Sequence, residues 1–193
     1  MKIASILITY LILMQVSFTP ALCQEPYSDD HGQVREMVLD HSLKTVRLYR
    51  EGWPMSYPVI RLSGDVPLVL EFDDLGEDQS SFYYRLIHCN ADWTPSDLSE
   101  QEYLDGYPEN EIRDRRPAFN TYTTYMHYRQ KIPNEDMRLL LSGNYLLLVY
   151  RDAHPDDVVF TRRFMVTESS VHIQARAHIP DLNRYRDCCQ EVD

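Results

Sequence analysis

From Thr45 to Arg176 the chain repeats one device: a short apolar run, often with every second residue hydrophobic, closed off by Gly, Pro, Asn or Asp. Side chains alternate across a strand, so each such run has one face to bury. It can do so only by pairing and packing with others like it. Thr45–Tyr49 sets Val46 and Leu48 against Arg47, and Val59–Leu62 follows Tyr57-Pro58. Leu68–Phe72 puts Leu68, Leu70 and Phe72 on one face and Glu71 on the other. Phe82–His88 alternates Phe82, Tyr84 and Leu86 with Tyr83, Arg85 and Ile87. Tyr122–Gln130 is aromatic and Thr-rich, and Val158–Val166 and Val171–Arg176 complete the set. Tyr145–Tyr150 is apolar on both faces, which predicts a central strand. The turns are Ser63-Gly64-Asp65, Leu75-Gly76-Glu77-Asp78, Ser142-Gly143-Asn144 and His154-Pro155-Asp156.

About eight short strands with almost no helical periodicity predict an all-β, antiparallel β-sandwich of the immunoglobulin-like type. Gly143-Asn144-Tyr145 sharpens the expectation. It resembles the entry to strand F of such sandwiches, where a Tyr packs inward and its hydroxyl bonds back across the corner. A Tyr that merely begins a strand fits the residues equally well. The exception to the pattern is Asn90–Asn120, which lacks a strand signal and is long for a connection. Thr94-Pro95 fits an N-cap and first helical position, with Asp97 near the positive end. A short helix over Ser96–Leu104, stopped by Asp105-Gly106, is expected in an ordered loop. That loop carries Trp93, Tyr103 and Tyr107, which are candidates for a partner surface. Trp53 with Tyr57 forms a second aromatic pair, suited to a sugar ring or a protein interface.

The 193 residues suffice for one domain with one core. Thirty acidic residues against 19 Lys and Arg give a formal charge of −11, which argues against nucleic acid and anionic lipid as partners. Lys2, an apolar stretch from Ile3 to about Phe18 and then Ala21-Leu22-Cys23 read as a cleaved export signal. The rival reading, acylation of Cys23, needs a small residue before the cysteine and meets Leu22. The expected organisation is a signal peptide at 1–23, a polar and loose lead-in at 24–42, and a sandwich domain at 43–193. Export leaves Cys89, Cys188 and Cys189, an odd number; the fold is expected not to depend on a disulfide, the alternative being a bridge from Cys89 to Cys188 or Cys189.

No constellation carries chemistry. His88-Cys89-Asn90-Ala91-Asp92 groups an imidazole, a thiol and a carboxylate. Strand neighbours point to opposite faces, however, so His88 cannot serve Cys89 as a base. His88, Asp92 and His127 lack metal-ligand spacing. The acidic turn Asp73–Asp78 does not match a calcium loop, and Arg113-Asp114-Arg115-Arg116 reads as a solvated or ion-paired face. No catalytic, cofactor-binding or metal residues are expected, and no cofactor.

Read in order, the landmarks are specific. Lys44–Trp53 leads into Ser56–Leu62, then Leu70–Leu75, and then the block His88-Cys89-Asn90-Ala91-Asp92-Trp93. Glu102–Gly106, Phe119-Asn120-Thr121, Tyr125–Tyr128, Ser142-Gly143-Asn144-Tyr145 and Arg162–Val166 follow. From Lys44 onward this resembles the first domain of type IX secretion system plug proteins. The resemblance implies a periplasmic, non-enzymatic protein at the inner face of the outer membrane, whose partner is the translocon barrel of that system. It would seal the barrel's periplasmic opening while no shuttle protein is engaged, without a lipid anchor of its own. The residues alone leave a second class open, a carbohydrate-binding accessory sandwich. The resemblance also implies that family members run on into further β-rich sequence, so the chain is expected to correspond to part of the family's length.

Overall fold

The computed structural model describes residues 27–76, 80–168, 171 and 174–193. The expected export signal and Glu77-Asp78 of the acidic turn lie outside the described residues. The strands are β1 (Met37–Val38), β2 (Leu43–Arg50), β3 (Val59–Arg61), β4 (Leu68–Asp74) and β5 (Phe82–Cys89). A one-turn helix α1 (Glu100–Tyr103) precedes β6 (Leu104–Gly106), β7 (Glu109–Glu111) and β8 (Asp114–Pro117). Then come β9 (Met126–Ile132), β10 (Met137–Leu139), β11 (Gly143–Arg151) and β12 (Val158–Thr167). Past the last of these, β13 (Ala177–His178) pairs only with β14 (Glu191–Val192).

Two sheets face each other. One has the order β2-β4-β9-β8; the other has β1-β12-β11-β5-β7, with β3 added parallel to β12. These are the A-B-E-D and G-F-C arrangements of an immunoglobulin-like sandwich, with β11 in the place of strand F. The inward faces are those the two-residue period marks. Leu68, Leu70 and Phe72 of β4 and Phe82, Tyr84 and Leu86 of β5 are fully buried. Phe72 stacks on Tyr128 at 4.9 Å and meets Phe82 edge-on at 5.2 Å, so the two sheets are joined through aromatic rings. Such pairs add about 0.5–1.5 kcal/mol each to the burial itself.

Tyr145 decides between its two readings. Its ring is fully buried, stacks on Phe164 at 5.2 Å, and its hydroxyl donates to the Leu141 carbonyl at 2.8 Å. This is the tyrosine corner of the fold. Gly143, two residues earlier, has φ of 144°, and a Cβ there would lie 2.6 Å from His88 Nε2.

Strand β11 is central as expected, between β12 and β5. It is buried on both faces because the N-terminal segment covers its outer side. Tyr27 and Val34 pack with Leu146, Leu148, Tyr150 and Val158 in a second apolar cluster, and β1 pairs with β12. From Tyr27 onward the lead-in is therefore not loose. Its polar residues face water while these two side chains reach the sheet.

Other expectations are corrected. The strand expected from Tyr122 begins only at Met126. Residues Val171 and 174–176 of the expected last strand are not strand, and 172–173 lie outside the described residues. The helix expected over Ser96–Leu104 is a single turn, capped by Ser99 and Glu102 rather than by Thr94. Thr94 instead closes a turn, its N–H and hydroxyl both donating to Asp92 Oδ1. Asp105-Gly106 is not a helix stop but part of β6, paired with β10, and the long connection holds three short strands.

Candidate functional site

Between Arg50 and Val59 the chain leaves the first sheet and crosses to the second, where β3 joins β12. The crossing loop has no paired strand beside it, so Trp53, Met55 and Tyr57 project from the sandwich. The loop is nonetheless held by its own backbone. The Trp53 N–H donates to the Arg50 carbonyl at 2.9 Å, and the Ser56 N–H to the Trp53 carbonyl at 2.9 Å. The Ser56 hydroxyl accepts from the Arg50 N–H at 2.9 Å, and the Val59 N–H donates to the Tyr57 carbonyl at 2.8 Å. The result is an ordered protrusion on which Trp53 is 66% exposed, Met55 97% and Tyr57 86%. Beside it lies a groove of about 1010 Å³, closed on the far side by Arg61, Asp65 and Thr167, the last residue of β12.

The structure therefore brings together Trp53 and Tyr57 and separates the other aromatic candidates. Tyr107 is exposed, between β6 and β7, with its N–H on the Asp136 carbonyl at 2.8 Å. Trp93 is half-buried at the outer cluster, under the Arg163 guanidinium at 4.4 Å from its ring centroid. Tyr103 is not a surface residue at all. The single turn of α1 points its ring into the core, and its hydroxyl donates to the Leu86 carbonyl at 3.2 Å. Met55 was missed because methionine between turn residues carries no pattern. Phe119 and Tyr122 carry no site signal in the sequence, since Phe119 stands alone in a connection and Tyr122 falls in the aromatic, Thr-rich run expected to be strand. Both lie fully exposed on the loop between β8 and β9, whose pairing Pro117 with Met126 sets it at the opposite end of the sandwich from Arg50.

Among the described residues, every exposed Trp, Tyr or Phe lies outside the strands, so no sheet face offers a flat row of rings to a sugar. The polar constellations are occupied by local partners. His88 Nδ1 lies 2.9 Å from Ser96 Oγ, with its ring edge-on to Tyr145. His127 Nδ1 lies 2.7 Å from Asp73 Oδ1 in the other sheet. Cys89 is buried, its thiol faces the Ile87 carbonyl, and burial pushes that thiol up to about 11. Two hydrogen bonds from Thr94 hold the Asp92 carboxyl below the usual range. Arg113 pairs with Glu111 at 3.2 Å and Arg116 with Asp114 at 3.5 Å, which leaves no basic patch in that stretch. Among the described residues no three His, Cys, Asp or Glu side chains gather as metal ligands, and no helix is long and apolar enough to cross a membrane. Cys89, Cys188 and Cys189 are all free thiols.

Comparison with known proteins bears on the whole sandwich. No curated protein matches the sequence. The crystal structure of a hypothetical protein from Parabacteroides merdae is similar, at 37% identity and a TM-score of 0.70, over 74% of this chain and 36% of that one. The chain thus spans about a third of that relative's length. A Pseudomonas fluorescens alkylpurine DNA glycosylase bound to DNA superposes at a TM-score of 0.35 and 10% identity, over 66% of this chain and 31% of that one, too little to carry an argument. The sequence model of the type 9 secretion system plug protein first domain matches residues 43–168, which begin with β2 and end one residue after β12. Through residues 43–168 the chain belongs to the family of type 9 secretion system plug protein first domains.

Proposed function

We propose that the chain is a non-enzymatic periplasmic plug element of the type IX secretion system, exported through residues 1–23 and bound at the inner opening of the outer-membrane translocon barrel. The family match over residues 43–168 carries this reading. In it the sandwich is a rigid frame and its exposed aromatics are the contact. Trp53 and Tyr57, with Met55 between them, supply the partner surface, and Tyr107 and the rim of Trp93 supply secondary contacts. Amphipathic rings suit this use, because they bury area at low entropic cost and dominate interface energetics. Sealing follows from mass action: the chain occupies the barrel in the state without shuttle and is released when the shuttle-bound state disfavours it.

The test is affinity capture by the tagged, exported chain from solubilised outer membranes, with and without the shuttle protein. The expected result is recovery of the barrel, greater when the shuttle is absent. Absence of the barrel under both conditions overturns the reading.

A further inference from the structure

The groove beside the 51–58 loop is basic in an acidic chain. Acidic residues outnumber basic ones 30 to 19 in the chain, yet this groove holds Arg50 and Arg61 against one carboxylate, Asp65. Neither arginine is ion-paired to Asp65 or to any other carboxylate among the described residues. Glu51, next in sequence, is already held by Lys131 at 2.7 Å. The Arg50 guanidinium lies 5.5 Å over the Trp53 ring, and its Nε is buried without a hydrogen-bond partner. A guanidinium that lines a groove without a carboxylate partner gains charge-assisted hydrogen bonds from an occupant that supplies an acceptor. The other wall is apolar: Trp53, Met55 and Tyr57, with Ile60 of β3 beneath.

We propose that this groove takes an extended apolar segment of a partner protein that carries a carboxylate. Apolar side chains of the segment pack on Trp53, Met55 and Tyr57, and its carboxylate pairs with Arg50 and Arg61. The inference rests on the plug reading for which protein contributes the segment, and on the groove alone for the chemistry of the segment. Charge-assisted hydrogen bonds to guanidinium groups give the carboxylate its preference over an amide of the same shape.

The experiment uses Trp53 fluorescence in the full chain carrying Trp93→Phe, since these are the two tryptophans. The probes are two short acetylated and amidated peptides of alternating leucine and serine, identical except for a central aspartate or asparagine. The aspartate peptide is expected to shift Trp53 emission saturably and to bind about tenfold more tightly than its amide twin at low salt, with the preference fading as salt screens it. The Arg50→Gln/Arg61→Gln double variant, checked for unchanged thermal unfolding, is expected to bind the two peptides alike. Equal binding to the unaltered groove, or no shift with either peptide, overturns the proposal. So does a Trp53 signal that tracks protein concentration in sedimentation, which would make the occupant a second copy. Capture of the barrel separates this from the plug reading. Capture by the double variant as strong as by the original chain removes the groove's role and leaves the plug role. A selective groove in a chain that captures no barrel does the reverse.

Discussion

At the scale of single residues, Tyr145 and Cys89 show how position sets chemistry. The Tyr145 hydroxyl gives the Leu141 carbonyl its side-chain hydrogen bond within an otherwise apolar corner. Tyr145→Phe keeps the ring and removes that bond, and is expected to cost about 1–1.5 kcal/mol in urea unfolding. A change below about 0.3 kcal/mol would show that the corner bond does nothing for stability. Cys89 is buried and its thiol is pushed up in pKa, while Cys188 and Cys189 are exposed. Mapping thiol modification at pH 8 is expected to find Cys188 and Cys189 labelled in the native chain and Cys89 only after unfolding. Native labelling of Cys89 contradicts its placement. The corner was half legible in the sequence, since Gly143-Asn144 marks a strand entry and leaves only the direction of the ring open. Tyr103 was not. Its side chain is aimed by one turn of helix whose Ser99–Glu102 cap is too short a signal to outweigh the polar residues around it.

At the scale of elements, the central strands were legible and the edges were not. Strands β4 and β5 announce themselves because each buries one face against the other sheet. Strands β7 and β8, at sheet edges, carry Glu, Asn, Asp, Arg and Pro, which protect an edge and erase the hydrophobic period. The N-terminal segment was equally hidden, because its apolar anchors Tyr27, Val34, Met37 and Leu39 are scattered among polar residues and follow no period. Deleting residues 24–39 exposes the outer face of β11 and is expected to cost about 3 kcal/mol or more, with new binding of a hydrophobic dye. Unchanged stability would show that the segment is dispensable.

The same region carries a pH-dependent tie between Asp40 and Arg151. Burial would raise the Asp40 carboxyl, but hydrogen bonds from Ser42 and the Arg151 guanidinium outweigh it and hold it below its ordinary value. A carboxyl lowered in the folded state stabilises above its unfolded pKa of about 4 and loses that contribution as pH falls through the folded value. Asp40→Asn is therefore expected to lower stability at pH 7 and to flatten its decline below pH 4. Parallel pH profiles would contradict the tie. The short pairing of β6 with β10 gives a further check. Gly106 has φ of 109°, and a Cβ there would lie 2.1 Å from the Asp136 carbonyl oxygen. Gly106→Ala must move backbone, and a loss of about 2–4 kcal/mol is expected in urea unfolding.

At the scale of the whole molecule, the sandwich separates two exposed aromatic groups to its opposite ends, Trp53, Met55 and Tyr57 at one and Phe119 and Tyr122 at the other. The fold class was legible because many short strands with one apolar face have few ways to bury it. Which end meets a partner was not legible, because exposure depends on where the chain crosses between sheets, a property of topology and not of local pattern. The proposed partner end is the one that carries the 51–58 loop. A photo-crosslinking amino acid placed at position 57, and separately at position 122, tests this in cells that assemble the type IX secretion system. The expected result is an adduct with the outer-membrane barrel from position 57 and none from position 122. An adduct from position 122 alone, or from neither position, would contradict it.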